Sequence, residues 1–174
     1  MQRGRTSSDT LAKIKNRLRQ AGIRWAVFAG AAASCYGSKR EITDIDILVR
    51  YEDLEIAKTV LREVNVKGFD IVTGGEIKTS QGTCPFFLDD RMIERLNWKR
   101  LLGVNVPVLS VEDNIVFKAI LQRGKECGKH DLEDIEAMVS HQKIDLKYLA
   151  GRVRECHAGK RVNSLLRSIV PGLS

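Results

Sequence analysis

The stretch that decides the fold runs from residue 30 to residue 46 and reads Gly30-Ala31-Ala32-Ala33-Ser34-Cys35-Tyr36-Gly37-Ser38-Lys39-Arg40-Glu41-Ile42-Thr43-Asp44-Ile45-Asp46. Before it, the apolar run 23–29 predicts a buried strand, so Gly30 directly follows a strand. Small residues over 31–36 predict a short helix packed closely on the sheet, and the glycine and polar residues of 37–41 predict a turn. Residues 45–49 predict a second strand, which places Asp44 and Asp46 at its start.

The two aspartates of this strand predict a metal site. Side chains alternate between the faces of a strand, so Asp44 and Asp46 point the same way. Two carboxylates in one small volume repel each other unless a proton or a cation relieves the repulsion, and a hard divalent ion with oxygen ligands is the natural partner. Magnesium, or manganese in its place, could bridge triphosphate oxygens and stabilise a departing pyrophosphate. The pair therefore indicates phosphoryl chemistry.

Residues ahead of the acidic pair suit a phosphate group. Gly30 allows the backbone to approach a phosphate closely, and Ser34 lies on the helix that follows. Lys39 and Arg40 could hold a triphosphate or an acidic acceptor. Each feature has a structural explanation when it stands alone, but their order and spacing together favour a nucleotide site.

The rest of the chain alternates helical and extended patterns. Residues 9–20 and 52–64 predict helices, 69–72 a strand, and 74–88 a hairpin. We expect a helix from Asp89 or Asp90 to about residue 102, and then an edge strand over 104–109 because it contains Pro107. Helices are predicted from Ser110 to residue 121, over 132–139 and over 146–154. This pattern predicts an α/β (α+β) fold, with a small mixed β-sheet flanked by helices, a core over 1–110, and a helical C-terminal region over 111–174 packed on or beside it as one unit.

Composition limits the partners. The formal net charge of +7 over 174 residues favours a phosphate-bearing partner, RNA among them. The basic run over 147–167 is either a solvated face or an acceptor-binding face. No apolar run approaches the roughly 18 residues of a membrane span, and residues 1–5 lack an apolar signal core, which predicts a cytoplasmic protein with no membrane partner. The four cysteines are widely spaced, so we expect reduced thiols.

These motifs resemble the polymerase-beta-like nucleotidyltransferases, particularly their minimal and toxin-type (abortive-infection-like) members. Their signature is a glycine pair after a strand, a short helix, a glycine and basic turn, and Thr or Ser before Asp-x-Asp. This chain shows Gly30-Ala31, Ala33, Tyr36-Gly37, Arg40, Thr43-Asp44 and Asp46. A looser likeness continues over 107–118, with Ser110-x-Glu112-Asp113 and Lys118, and over 128–135, with Lys129-x-Asp131 and Asp134.

The resemblance implies an enzyme that moves a nucleoside monophosphate from a nucleoside triphosphate to a hydroxyl of RNA, protein or a small molecule, and releases pyrophosphate. It assigns metal binding and catalysis to Asp44, Asp46 and Asp70. Toxin-type relatives often act beside an antitoxin, so such a protein is a candidate partner. The implied nucleotide contacts are Gly30, Ala31, Ser34, Arg40, Thr43 and Lys118, with Lys129, Asp131 and Asp134 supporting the pocket.

Two departures from the family pattern limit these expectations. Ala31 stands where relatives have a second glycine or a serine. The third carboxylate is expected in a hydrophobic-Asp-hydrophobic pattern, which Phe69-Asp70-Ile71 supplies after a short connection. An alternative register puts Cys84 at that position, and either Asp89 or Asp90 would then substitute or the third ligand would be absent. The alternative function is a catalytically degenerate nucleotide- or RNA-binding module of the same fold.

Overall fold

A five-stranded mixed sheet lies at the centre of the computed structural model, which describes residues 7–173. Its strand order is β3-β2-β1-β7-β6, and the other two strands form a separate hairpin. In chain order the strands are β1 (Trp25–Phe28), β2 (Ile45–Val49), β3 (Phe69–Val72), β4 (Gly74–Thr79), β5 (Gly82–Phe87), β6 (Asn97–Leu101) and β7 (Val104–Val108). β1 runs antiparallel to β2 and parallel to β7, while β2 and β3 are parallel. β6 and β7 are antiparallel. The end of β1 and the starts of β2 and β3 therefore meet at one edge of the sheet.

Helices flank this sheet and make up the C-terminal part. Helix starts carry the expected caps, because the hydroxyl of Ser7 accepts the Thr10 N–H and the hydroxyl of Ser110 accepts the Asp113 N–H. In chain order the helices are α1 (Ser8–Gln20), α2 (Ala29–Cys35), α3 (Leu54–Val60), α4 (Asp90–Glu94), α5 (Val111–Leu121), α6 (Asp131–His141), α7 (Leu146–Glu155) and α8 (Gly159–Ile169). The predicted α/β class, a small mixed sheet flanked by helices, is confirmed.

One hydrophobic core joins the sheet to the helices on both sides of residue 110. Buried side chains of α1 and the strands share it with buried residues of α5 to α8, such as Ile115, Met138 and Leu166. The alanines of α2 are buried, and their small size lets this short helix pack closely on the sheet.

The helix predicted over 89–102 is wrong. Only α4 forms, and the chain then turns into β6, which pairs with β7. Leu102 and Gly103 both have positive φ, at 48° and 82°, which makes the tight turn of a β-hairpin. The available signal for this strand was Gly103, which suits a tight turn just before the strand predicted over 104–109.

The predicted edge position of β7 is also wrong, because β6 covers that side. Pro107 pairs with Trp98 of β6, and β7 touches β1 only at its end, where Val108 is aligned with Val27 and the Leu109 N–H donates to the Val27 carbonyl at 3.0 Å. The ladder to β1 is too short to require an N–H from the proline.

Three further expectations have a definite outcome. The helix predicted over 52–64 is shorter and begins with a 3-10 turn over Tyr51–Asp53. The sequence argument missed α8, although Val162 and Leu166 lie four residues apart on its buried side. The expectation about residues 1–5 lies outside the described residues. Within 7–173, no helix is both long enough and apolar enough to cross a membrane, and all four cysteines are free.

Candidate active site

Asp46 and Asp70 lie side by side on neighbouring parallel strands. The register of β2 and β3 aligns them directly, and the register of β1 and β2 aligns Phe28 with Asp46. Residues aligned across a ladder project from the same face of the sheet. Asp44 precedes Asp46 by two residues, and its Oδ1 accepts a hydrogen bond from the Thr43 hydroxyl at 3.0 Å. The fold thus brings the three expected carboxylates to one edge of the sheet.

The electrostatics of Asp46 show that these carboxylates act on one another. Burial, reinforced by the negative charges of Asp44 and Asp70, raises the pKa of Asp46 to about 6. The positive charges of Lys129 and Arg123 act in the opposite direction. A cation beside Asp46 would relieve this repulsion.

The register also separates Asp70 from the alternatives for the third position, which are Asp89, Asp90 and the register that places Cys84 there. Cys84 lies in β5 of the separate hairpin, where its thiol faces the carbonyl of His157. Asp89 caps α4 by accepting the Met92 N–H and pairs with Arg152 at 2.9 Å. Asp90 pairs with Arg50. Asp70 is therefore the candidate that the fold aligns with Asp46.

The carboxylates suit a hard divalent ion in chemistry, because the edge offers oxygen donors whose mutual repulsion a cation relieves. They are not drawn together into a ligand cluster: among residues 7–173, no group of three His, Cys, Asp or Glu side chains is arranged to hold a metal ion. Binding an ion would require these side chains to move toward one another. Asp44, Asp46 and Asp70 are the residues that would hold it.

The backbone turns sharply between β1 and α2. The turn takes place at Ala29, which has a φ of 57°, whereas Gly30 has no positive φ. Asn114 of α5 binds this turn: its Oδ1 accepts the Ala29 N–H at 2.8 Å, and its Nδ2 donates to the Ala29 carbonyl at 3.1 Å. A methyl group placed on Gly30 would lie 3.7 Å from Nη2 of Arg40, so Gly30 faces this guanidinium.

Ala31 and Ser34, two expected nucleotide contacts on α2, make contacts within the protein. Ala31 is only 1% exposed, so its methyl group packs in the core and does not reach the edge of the sheet. The Ser34 hydroxyl donates to the carbonyl of Ala31 at 2.7 Å and is partly buried. The backbone conformation that usually requires glycine is therefore found at Ala29 and not at Ala31.

A buried ion cluster lies behind the site. Lys118 is 2% exposed, and its Nζ lies 2.9 Å from Asp131 Oδ1 and 2.8 Å from Asp134 Oδ2. This geometry differs from the expected phosphate contact, because both carboxylates of α6 occupy the ammonium group. Lys118 cross-links α5 to α6.

The same two carboxylates each hold an arginine. Asp134 accepts both Nε and Nη2 of Arg40, at 3.1 and 2.7 Å, and Asp131 accepts Nε of Arg123 at 2.9 Å. Both guanidinium groups remain partly exposed. Asp131 and Asp134 thus support the pocket by fixing arginines, while Lys129 is exposed and acts on Asp46 through its charge.

Solved structures share this architecture. The antibiotic-resistance factor ANT(2'')-Ia, solved in solution, is 11% identical, aligns over 92% of this chain and 94% of its own, and has a TM-score of 0.56. A nucleotidyltransferase candidate from Thermotoga maritima is 18% identical, with coverage of 73% and 94% and a TM-score of 0.55. The lincosamide antibiotic adenylyltransferase LnuA, solved with lincomycin, is 13% identical, with coverage of 80% and 100% and a TM-score of 0.52. The chain has a nucleotidyltransferase fold.

This finding confirms the resemblance to polymerase-beta-like nucleotidyltransferases at the level of the fold, since the identities are low. No family model and no curated protein sequence matches the chain.

Sequence reasoning missed two residues of this nucleotidyltransferase fold that lie beside the site. Arg123 directs charge toward Asp46, and its only sequence signal is a basic side chain just after a predicted helix. Asn114 is fully buried and binds the turn before Gly30. A buried amide within an apolar helix is a signal for a polar partner, but the sequence does not say which.

A cavity of about 320 Å³ opens between the sheet, α5 and the hairpin. Phe28 and Phe117 contribute aromatic rings, and Val72 lies two residues beyond Asp70 on β3. Arg123 also lines it, so the cavity adjoins the charged part of the site. The cavity is therefore a candidate position for a substrate group, although the three carboxylates do not line it.

Proposed function

We propose that this protein is a magnesium-dependent nucleotidyltransferase, with manganese as the alternative ion. It transfers a nucleoside monophosphate from a nucleoside triphosphate to a hydroxyl acceptor and releases pyrophosphate. The observation that carries the proposal is the alignment of Asp46 with Asp70 across β2 and β3, at the edge of the sheet where β1 turns into α2. The fold shared with solved adenylyltransferases supports it.

The carboxylates divide the work. Asp44 and Asp46, with Asp70 beside them, would hold the divalent ion, which would neutralise phosphate charge and stabilise the leaving pyrophosphate. Asp70 is exposed, so it is the carboxylate best placed to meet an incoming acceptor. It accepts the proton of the acceptor hydroxyl as that oxygen forms its bond to the α-phosphorus, while the bond from this phosphorus to pyrophosphate breaks.

Gly30 and the basic side chains near the carboxylates hold the triphosphate. Gly30 allows its close approach, and Arg40 and Arg123 supply planar guanidinium donors suited to phosphate oxygens. Lys129 adds positive charge. Thr43 orients Asp44 through its hydrogen bond, and Ser34 lies at the next turn of α2.

Lys118, Asp131 and Asp134 act indirectly in this proposal. Lys118 neutralises two buried carboxylates, and these in turn hold Arg40 and Arg123. The triphosphate therefore meets the two arginines, and Lys118 keeps their anchors in place.

The acceptor is a hydroxyl compound that fits beside Phe28 and Phe117 or lies across the basic surface. ANT(2'')-Ia was solved with adenylyl-2''-tobramycin, with a TM-score of 0.56 over 87% of this chain, and this likeness favours testing small molecules beside RNA. RNA as acceptor, an antitoxin-type partner and a cytoplasmic location stay predictions from the sequence.

A non-catalytic module that binds nucleotide or RNA is the second candidate. The spread of the three carboxylates favours it, because no ready ligand cluster exists among residues 7–173. Titration calorimetry with each nucleoside triphosphate separates the two: affinity that does not depend on magnesium, without product, supports the module.

The decisive experiment supplies each of the four radiolabelled nucleoside triphosphates with magnesium and either total cellular RNA or a panel of hydroxylated small molecules. Wild type is compared with Asp44→Asn/Asp46→Asn, and with Asp9→Asn/Glu63→Gln as a matched control that removes two exposed negative charges elsewhere. We expect labelled acceptor and pyrophosphate from wild type and control, and a loss of at least about 100-fold in the site variant. Unchanged turnover in the site variant would overturn the assignment.

A further inference from the structure

Ala29 has a backbone conformation that an alanine rarely adopts. Its φ of 57° lies in the left-handed region, where the Cβ crowds the following carbonyl. Glycine is the usual residue there, because it has no Cβ. Since Ala29 is also buried, neighbouring groups must hold it in place.

Asn114 provides that hold from a different element. It lies 85 residues away in sequence, on α5, and its carboxamide binds both backbone polar groups of the same residue: it accepts the Ala29 N–H at 2.8 Å and donates to the Ala29 carbonyl at 3.1 Å. The amide is fully buried, and its remaining contact is the sulfur of Met138 at 3.5 Å. A paired contact of this kind fixes both the position and the orientation of the residue.

Ala29 lies in the chain between the strand that is paired with the carboxylate strand and the residues proposed to hold the triphosphate. Phe28, its predecessor, is aligned with Asp46, and its successor is Gly30, which faces Arg40. If Ala29 relaxed to a right-handed or extended conformation, the peptide of Gly30 would rotate relative to Phe28 and hence to Asp46. The conformation of Ala29 therefore sets the orientation of Gly30 relative to the carboxylate strand.

We propose that Asn114 is a positioning residue for nucleotidyl transfer, which clamps Ala29 in the left-handed conformation and so aims Gly30 at the triphosphate. The role in transfer rests on the proposed function, whereas the clamp itself does not. Glycine would adopt the conformation of residue 29 without strain, and an apolar residue would suit the buried position 114. Ala29 and Asn114 therefore compensate for each other.

The test is a double-mutant cycle with Asn114→Ala, Ala29→Gly and both together. Ile115→Ala is the matched control, because Ile115 is equally buried at the next position of α5 and takes no part in the hydrogen bonds to Ala29. Each protein is measured by urea denaturation and by kcat/KM for pyrophosphate release, at a temperature where all remain folded. We expect Asn114→Ala to lower kcat/KM about tenfold, as the loss of two buried hydrogen bonds implies.

Ala29→Gly should restore most of that loss, because glycine adopts the conformation without a clamp, and it should leave Ile115→Ala unrescued. Equal rescue of both variants, or a kcat/KM unchanged by Asn114→Ala, would overturn the proposal. If wild type releases no pyrophosphate with any nucleoside triphosphate, the proposed function fails, and the denaturation cycle alone tests the clamp. Additive changes in the free energy of unfolding for the substitutions at 29 and 114 would reject the clamp, and coupled changes would support it.

Discussion

Replacing Lys118 with methionine separates a buried structural lysine from a phosphate-binding one. Methionine keeps most of the length of the side chain but leaves the buried carboxylates of Asp131 and Asp134 without their shared ammonium group. Breaking a buried ion pair costs about 3–5 kcal/mol. Each carboxylate keeps one arginine, so we expect a loss near the lower end, about 3 kcal/mol, or a melting temperature lower by about 6–12 °C.

Urea denaturation at pH 7, followed by tryptophan fluorescence, measures this loss. Lys125→Met is the control, because the Lys125 side chain is 76% exposed and 3.3 Å from Glu133, and such a pair contributes less than about 1 kcal/mol. A loss below about 1 kcal/mol for Lys118→Met, together with a raised KM for nucleoside triphosphate, would refute the structural role of Lys118. It would favour the expected contact between Lys118 and phosphate instead.

The buried carboxylates of Asp131 and Asp134 also predict that stability depends on pH. Burial alone would raise the pKa of Asp131 and of Asp134, but hydrogen bonds from Arg123 and Arg40, together with Lys118, outweigh burial and hold each pKa below its usual range. A carboxylate whose pKa is lowered by folding contributes stability above its unfolded pKa of about 4, and this stability is lost as the pH falls below that value. The difference between wild type and Lys118→Met should therefore shrink between pH 7 and pH 3, and a constant difference would contradict the assignment.

Two further pairs of substitutions test the packing of the hairpin and of the buried Arg152. Gly74→Ala should destabilise the fold by more than about 1 kcal/mol, since Gly74 has a φ of 75° and a Cβ there would lie 2.1 Å from the Phe86 carbonyl, whereas Gly75→Ala meets nothing within 4 Å and should change stability by less than about 0.5 kcal/mol. Equal losses in thermal denaturation would contradict this reading of the hairpin. Arg152→Met should cost about 3–5 kcal/mol, because the buried guanidinium binds Asp113, Asp89 and Glu155. Asp89→Asn should cost less in the same urea experiment, as the Asp89 side chain is half-exposed; the reverse order would show that Asp89, and not Arg152, anchors the network.

The acidic edge of the sheet could be predicted because its signals are local. Asp44 and Asp46 lie at alternate positions before an apolar strand, and Asp70 lies within a second such strand. The alignment of Asp46 with Asp70 could not be predicted, because a parallel register depends on how α3 and its connections fold back onto the sheet. The sequence therefore left Asp89, Asp90 or no third ligand as alternatives to Asp70, whereas the register aligns Asp70 with Asp46.

The predictions that differ from the structure have a different cause: these features depend on contacts between residues that are distant in sequence. Residues 97–101 carry no strong preference of their own, and β6 forms because β7 provides a partner after the turn at Leu102 and Gly103. Lys118 on an apolar helix suggested a solvated or phosphate-binding group, since sequence periodicity does not reveal that two carboxylates from α6 are buried opposite it. Ala29 looked like the last residue of a strand, and its left-handed conformation depends on Asn114, 85 residues further on.

Helices α5 and α6 belong to the proposed active site, because their charged residues hold the arginines beside the carboxylates. Asp131 and Asp134 lie three residues apart, on one side of α6, and both bind Lys118 of α5. Each also holds one arginine, and these arginines come from opposite directions along the chain: Arg40 precedes β2, and Arg123 follows α5. Because Arg123 and Lys129 oppose the rise in the pKa of Asp46, removing this support would make the carboxylate edge harder to ionise. Residues beyond position 110 thus contribute to the charge balance of the N-terminal carboxylates, against the larger effects of burial and of Asp44 and Asp70.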